Sequence, residues 1–183
     1  NVAITKNGGY VSYILGSDQI KTQSITQENA VNIAAAYLKR LGYNNMKETY
    51  YAVEDNICIV NFAYSEGSVI YYSDLIKVGI SMSDGKIYSL EADGYLTNHR
   101  QRAAFSTKIS EKDMQVRLSG HVEVISAKQC IIPKNNGTEA QCIEFHCRNK
   151  STAEEALVYV NTQTGEEENI LILLYSDNGT LTK

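Results

Sequence analysis

The residues that could carry out covalent catalysis are few and scattered along this chain. A thiol nucleophile needs a base within reach, and the nearest such pair is Cys147 beside His146. Adjacent residues of a strand point to opposite faces, so these two side chains cannot meet side by side. We therefore expect no cysteine-based catalytic centre.

The histidines and cysteines do not follow a metal-binding pattern either. His99, His121 and His146 show no i, i+4 spacing, and no Cys-x-x-Cys pair occurs. The four cysteines fit small buried hydrophobic residues, and a disulfide joining Cys130 to Cys142 across neighbouring strands is the alternative. We expect no metal ion and no cofactor.

The acidic runs, the net charge and the lack of a long apolar run argue against three further classes of function. One pair of glutamates, at 154–155, and one triplet, at 166–168, lie beside predicted turns. We expect these carboxylates to be solvent-exposed surface charges and not part of an active site. The net charge of −4, with both signs interspersed, gives no basic face for nucleic acid. No apolar run has the length of a membrane-spanning helix.

Tyrosine is the unusual component, with 13 Tyr, 3 Phe and no Trp. Tyrosine fits a half-buried sheet surface and is also enriched at protein interfaces, so both roles stay open. The segment with Tyr95, Asn98, His99 and Arg100 combines an aromatic ring, an amide and a guanidinium, which are residue types that anchor interfaces. We predict partner binding there, and the competing hypothesis is that Asn98 and His99 brace a junction between repeated units.

This segment follows directly on a predicted β-hairpin. Residues 74–82 alternate in the two-residue period of a strand, and residues 87–91 resume one. Asp84-Gly85 between them predicts a tight type I′ turn, which needs positive φ at both central residues. The hairpin therefore ends shortly before Tyr95.

The same hairpin pattern occurs three times. Val-x-Ile or Val-x-Val, with a glycine seven residues after the first valine, begins at Val2, Val78 and Val158. Intervals of 76 and 80 residues are too long for a solenoid and typical of small tandem domains.

Two helices precede the later copies of this hairpin. The first spans Ile25 to Leu41, with Thr26 as N-cap, one apolar stripe and Gly42 as its stop. The second begins at Ser110 and offers only a short apolar stripe, Met114 and Leu118.

These patterns predict an α+β fold in which each unit is a helix packed on an antiparallel sheet of about four strands. In the predicted layout, residues 1–23 are the final hairpin of an upstream repeat plus a linker, 24–104 and 105–176 are the two units, and 177–183 are a frayed C-terminus. Because the chain starts at Asn1 inside a predicted strand, we expect it to be a fragment whose targeting segment has been removed.

The repeated unit resembles the PepSY domain family. The resemblance rests on the Ile-Thr and Ile-Ser helix starts at 25–26 and 109–110, the alanine-rich helix and the late Val-x-Ile strand with its glycine turn. Ile80-Ser81 and Val160-Asn161 stand where the family has Val-Asp, so its aspartate is absent from both units. PepSY domains are regarded as regulators or inhibitors of hydrolytic enzymes.

Three segments are similar to the C-terminal part of the YpeB family of spore germination proteins, and they read ITKNGGYVSYIL (4–15), SITQENAVNIAAAYLKRLGYNNM (24–46) and GYLTNHRQR (94–102). This resemblance implies a non-enzymatic protein that stabilises, localises or inhibits a cortex-lytic peptidoglycan hydrolase of the SleB type. It also implies a location outside the spore's inner membrane or in the cortex, with membrane contact only through an N-terminal segment outside this chain. The alternative function is a module that binds peptidoglycan fragments without a hydrolase partner.

Overall fold

The computed structural model describes residues 1–176 and 179–182, and these divide into two compact units. The first consists mainly of Asn1–Ser65 and Ser73–Arg100, and the second mainly of Glu66–Tyr72 and Gln101–Tyr175. The fold is of the mixed α/β class and consists mostly of strands, with three helices in the described residues.

The first unit contains one long helix, one short helix and a meandering sheet. Its elements are β1 (Val2–Ile4), β2 (Val11–Leu15), α1 (Gln27–Arg40), β3 (Met46–Glu54), β4 (Ile57–Glu66), β5 (Val69–Ser81), β6 (Ile87–Glu91) and α2 (Asp93–Asn98). The strand order is β1-β2-β6-β5-β4-β3. Strand β4 is thus an interior strand, as its two apolar faces predict.

Helix α1 forms where the capping pattern predicts it. The Thr26 side chain accepts a hydrogen bond from the Asn29 backbone N–H at 3.2 Å, which satisfies one of the open donors of the first turn. The apolar stripe buries Ala30, Ala34 and Leu38 against the sheet. Two small residues in this stripe allow close approach, so α1 covers one face of the sheet.

The turn between β5 and β6 differs from the predicted type I′ geometry. Only Gly85 has positive φ, at +73°, and its N–H donates to the Ser81 carbonyl at 2.9 Å. The strand register shifts between Gly79 and Ile80, as expected when a glycine in the left-handed region accompanies a bulge. The prediction of a hairpin is correct, but its turn type is not I′. The bulge adds one residue to the connection, so Asp84 does not need a positive φ.

The second unit consists of one short helix and five strand segments. These are the first residues of β5, α3 (Glu111–Arg117), β7 (Val122–Pro133), β8 (Glu139–Asn149), β9 (Glu155–Asn161) and β10 (Glu167–Ser176). The β7-β8-β9-β10 ladders are antiparallel, but residues 69–71 of β5 pair in parallel with 129–131 of β7. The parallel pair was not predicted, because alternation along one strand carries no information on a partner 60 residues away.

Helix α3 starts at the predicted cap and is short. The Ser110 hydroxyl accepts from the Asp113 N–H at 3.1 Å. Only Met114 of this helix is buried, and it packs with Phe145, Val158 and their neighbours on the sheet. One buried side chain gives α3 much less contact with its sheet than α1 has.

The C-terminal end differs from the expectation of a frayed segment. Gly179–Thr182 form strand β11, in which Gly179 lies opposite Ala52 of β3. Backbone pairing does not require an apolar pattern, so this strand was not predictable from its residue types. Residues 177, 178 and 183 lie outside the described residues, and the domain boundaries at 23/24 and 104/105 stay a prediction.

Candidate functional site

The four residues predicted to bind a partner lie in and just after the short helix α2. Tyr95 and Asn98 belong to α2, His99 is its C-cap and Arg100 follows, exposed. The prediction of a segment just past a strand missed this helix, because α2 has six residues and no side-chain cap. Tertiary contact holds it instead: a Cβ at Gly94 would lie 2.9 Å from the Leu75 carbonyl oxygen, so only glycine fits there.

His99 is bound to a buried carboxylate that the site prediction missed. The Nδ1 atom of His99 lies 2.8 Å from Oδ2 of Asp74, whose side chain is fully buried, while the His99 side chain is 33% exposed. A buried carboxylate is costly unless it is hydrogen-bonded. The sequence pattern of this strand contains a sign of this contact, because Asp74 is the one charged residue on the apolar face that continues with Ile76 and Val78.

Aromatic rings surround this hydrogen-bonded pair. The Tyr95 ring stacks on His99 with centroids 4.3 Å apart and an interplanar angle of 13°. Tyr64 contacts His99 edge-on at 4.5 Å, and Tyr43 contacts Tyr95 edge-on at 5.2 Å. Tyr10 lies 6.0 Å from Tyr43. We call these five residues the tyrosine cluster; such contacts stabilise beyond the apolar area that they bury.

The hydroxyls of Tyr43 and Tyr95 are poor acids. Burial, followed by the neighbouring Tyr95, raises the pKa of Tyr43 to about 12, and its hydroxyl donates to the Val11 carbonyl at 2.8 Å. Burial also raises the pKa of Tyr95, with Tyr64 and Asp74 as smaller causes. These phenols therefore stay neutral at ordinary pH and act as packing and hydrogen-bonding groups.

Asn98 holds α2 in place. Its Nδ2 donates to the carbonyls of Ser73 and Gly94, each at 2.9 Å. Asn98 and His99 therefore hold α2 within the first unit, and the hypothesis that they brace a junction between units stays a prediction. Tyr95, Asn98 and His99 are brought together by the fold, and their part in partner binding stays a prediction.

A second polar cluster lies in the second unit, on β8. Glu144 is 2% exposed and accepts a 2.5 Å hydrogen bond from the Tyr72 hydroxyl. Tyr159 contacts Tyr72 edge-on at 6.0 Å, and the Lys128 ammonium lies 3.7 Å from the other Glu144 oxygen. Burial, and then the Glu144 carboxylate, raise the pKa of both tyrosines. This arrangement neutralises a buried charge and contains no nucleophile.

Cys147 and His146 point to opposite faces of β8, as predicted. The Nε2 atom of His146 lies 2.7 Å from Glu155, which also binds Arg148 and the Tyr175 hydroxyl. The Cys147 thiol is fully buried in the core beneath α3, and burial raises its pKa. This pair therefore does not form a thiol–imidazole dyad.

The described part of the chain contains neither a metal-binding cluster of side chains nor a helix that could span a membrane. Among residues 1–176 and 179–182, no three His, Cys, Asp or Glu side chains come close enough together to hold a metal ion. None of the helices in the same residues is both long and apolar enough to cross a membrane.

The family model for "YpeB sporulation, PepSY1 and PepSY2 domains" matches residues 1–105. The chain belongs to the YpeB sporulation family. It is 30% identical to the sporulation protein YpeB of Halalkalibacterium halodurans and 28% identical to that of Bacillus subtilis, each over 91% of this chain. The chain spans 37% of the length of each of these relatives.

A solved structure has the same fold. The Bacillus megaterium YpeB C-terminal domain superposes with a TM-score of 0.86 at 29% identity, covering 95% of this chain and 76% of that one. The predicted resemblance to YpeB and to PepSY domains is thereby confirmed. Asn161 stands at one of the two positions where the PepSY aspartate is missing. Its Oδ1 accepts hydrogen bonds from the N–H groups of Gln163 and Thr164 and so stabilises the turn that follows.

Proposed function

We propose that this chain is the partner-binding part of a non-enzymatic spore germination protein that stabilises, localises or inhibits a cortex-lytic peptidoglycan hydrolase of the SleB type. The observation that carries this proposal is membership of the YpeB sporulation family. In this proposal the protein acts outside the spore's inner membrane or in the cortex, and any membrane contact is made by an N-terminal segment outside this chain.

The scaffold in this proposal is a tandem of two PepSY-like units, each with a helix on one face of a sheet. Burial of Ala30, Ala34 and Leu38 beneath α1 and of Met114 beneath α3 supports it. Glycines with positive φ at equivalent places in the three hairpins, Gly9, Gly85 and Gly165, support it further.

A non-enzymatic role is consistent with the state of the reactive groups. All four cysteines are buried thiols. Burial raises the pKa of Cys58 to about 11 and that of Cys142 to about 12, so neither is poised as a nucleophile. His99 and His146 each hold a carboxylate.

The contact surface in this proposal is the end of α2. Arg100 is exposed and directly follows His99, on which Tyr95 stacks, while Asn98 and His99 fix the backbone of this segment. Arginine and tyrosine are enriched among interface anchors, and a backbone that is already fixed lowers the cost of ordering on binding.

The test uses Arg100→Ala and Tyr95→Phe together, which keep the ring stack on His99. Arg40→Ala is the matched control, because Arg40 is also an exposed arginine near a tyrosine ring, 5.1 Å from that of Tyr37. We expect the first variant to bind the purified hydrolase at least about 10-fold more weakly while circular dichroism shows that it is folded, and the control to bind normally. Unaltered affinity in the first variant would remove this surface from the proposal.

The peptidoglycan-binding alternative is supported by two exposed rings on the N-terminal hairpin, Tyr10 at 45% and Tyr13 at 39% exposure. Tyrosine offers an apolar face and a polar tip, both of which suit a sugar chain. Sedimentation of the chain with purified cortex peptidoglycan in the absence of hydrolase separates the two functions, since only the alternative predicts retention.

A further inference from the structure

The strand β10 carries an apolar stripe on the same face of the second unit's sheet that α3 covers. Ile170 lies opposite Val158, and Val158 lies opposite Phe145, which belongs to the core beneath α3. Side chains directly opposite each other share a face, and residues two apart on a strand do so as well. Ile172 and Leu174 therefore continue this face along β10.

These three side chains are exposed although they extend the core face. Ile170 is 50% exposed, and Ile172 and Leu174 are 47% exposed. Single exposed apolar residues are ordinary, but a contiguous row is typical of a contact surface. From residue 170 to residue 174 the row is about 13 Å long, at about 3.3 Å per residue.

The row is bare because α3 is too short to reach it. Helix α1, with 14 residues, is about 21 Å long, whereas the seven residues of α3 give about 10 Å. The turn that leads into β10 is covered, since a Cβ at Gly165 would press on an Arg117 guanidinium nitrogen and lie 2.8 Å from the Ile109 side chain. Residues 170–174 lie farther along the strand.

We propose that the β10 stripe, Ile170, Ile172 and Leu174, binds an amphipathic helix of a partner protein, with a lysine or arginine at one end of the helix's apolar face. This inference rests on the proposed partner-binding function and names a second contact surface for it. In the first unit a helix covers the corresponding face, so the shape of the surface already suits one. Positions i, i+4 and i+8 of a helix span about 12 Å, close to the length of the stripe.

The charge of the occupant follows from two exposed carboxylates at one end of the stripe. Glu167 lies opposite Val160, which places it on the helix-covered face, and Glu166 precedes it. With the Arg117 guanidinium near Gly165 at the same end, the two carboxylates leave one net negative charge, which a cationic side chain of the partner complements. A second copy of this chain would bring the same carboxylates to the interface, which disfavours self-association.

The test uses the whole chain and two synthetic 18-residue helical peptides. Both carry one leucine stripe; one has lysine on the polar face and at the stripe's end, and the other has glutamate there. The variant Ile170→Thr with Ile172→Thr keeps β-branching and so the strand preference. Val2→Thr with Ile4→Thr is the matched control, at 65% and 61% exposure on another strand. Circular dichroism verifies that both variants fold.

We expect the lysine peptide to bind saturably, the β10 variant to weaken it about 10-fold or more, and the control to leave it unchanged. The glutamate peptide should bind at least about 10-fold more weakly than the lysine peptide, and Glu167→Lys should bring the two affinities together. Equal loss in the control, unsaturable binding, or a dimer of this chain that only the β10 variant abolishes would overturn the inference.

The purified hydrolase distinguishes this inference from the proposed function. If the hydrolase binds the chain and the β10 variant binds it equally well, the stripe is not its contact and the inference fails alone. If the hydrolase does not bind while the lysine peptide still binds at the stripe, the proposed function fails and the helix-binding surface stands.

Discussion

Removing the His99 imidazole should destabilise the first unit through two contacts that can be separated. His99→Phe loses the hydrogen bond to Asp74 but keeps an aromatic ring against Tyr95 and Tyr64. His99→Ala loses the hydrogen bond and the stacking together. The comparison of these two variants therefore assigns a free energy to each contact.

The expected magnitudes follow from the geometry. A hydrogen bond to a charged group contributes about 1.5 to 3 kcal/mol, and a side chain that is 33% exposed points to the middle of that range, about 2 kcal/mol. Ring stacking adds about 1 kcal/mol. We expect His99→Phe to lose about 2 kcal/mol and His99→Ala about 3 kcal/mol. For a domain of about 100 residues, 3 kcal/mol lowers the melting temperature by more than 10 °C.

Thermal and urea unfolding followed by circular dichroism measure these changes. The chain has no tryptophan, so its 13 tyrosines supply a second, fluorescence probe. His121→Ala is the control, since His121 is exposed. A double-mutant cycle with Asp74→Ala should give a coupling of about 2 kcal/mol. A His99→Phe variant as stable as the wild type, or a double variant whose loss equals the sum of the two single losses, would refute the claim that the His99–Asp74 hydrogen bond anchors α2.

Three further results are expected. First, alkylating reagents should modify the four cysteines only after unfolding, because all four are buried and burial raises the pKa of their thiols; rapid labelling of the native chain, measured by mass spectrometry, would contradict this. Second, the Tyr175 hydroxyl and then Arg148 lower the pKa of Glu155 to about 2, so its stabilising effect is complete above about pH 4.5 and is lost as the pH falls toward 2. Glu155→Gln should therefore show a shallower fall in melting temperature between pH 5 and pH 2.5 than the wild type, and parallel curves would reject this. Third, Gly165→Ala should cost about 1 to 2 kcal/mol in chemical unfolding, because φ is +72° and the added Cβ would press on Ile109; an equally stable variant would show that this turn tolerates a side chain.

Local patterns predicted the elements that depend on local physics. The cap at Thr26 and the stripe of α1 were enough to place the first helix to within two residues, and Ser110 did the same for α3. The glycine-marked hairpins were also predictable, since a positive φ at Gly85 or Gly165 leaves a clear trace in sequence.

Features that depend on distant contacts were not predictable. Helix α2 exists because Gly94 packs on the β5 backbone, and the parallel pairing of β5 with β7 joins residues about 60 positions apart. At the candidate site, the sequence named Tyr95 and His99 but not Asp74, which only the fold brings to His99. The position of Asp74 on the otherwise apolar face of its strand was the one indication in the sequence that this carboxylate needs a polar partner.

The measurement that tests the central claim most directly is equilibrium binding between this purified chain and a purified cortex-lytic hydrolase of the SleB type, by analytical ultracentrifugation. A stoichiometric complex, with no release of peptidoglycan fragments by the chain alone, is the result expected for a non-enzymatic partner. No complex at concentrations where both proteins are folded, or turnover of peptidoglycan by this chain by itself, would contradict it.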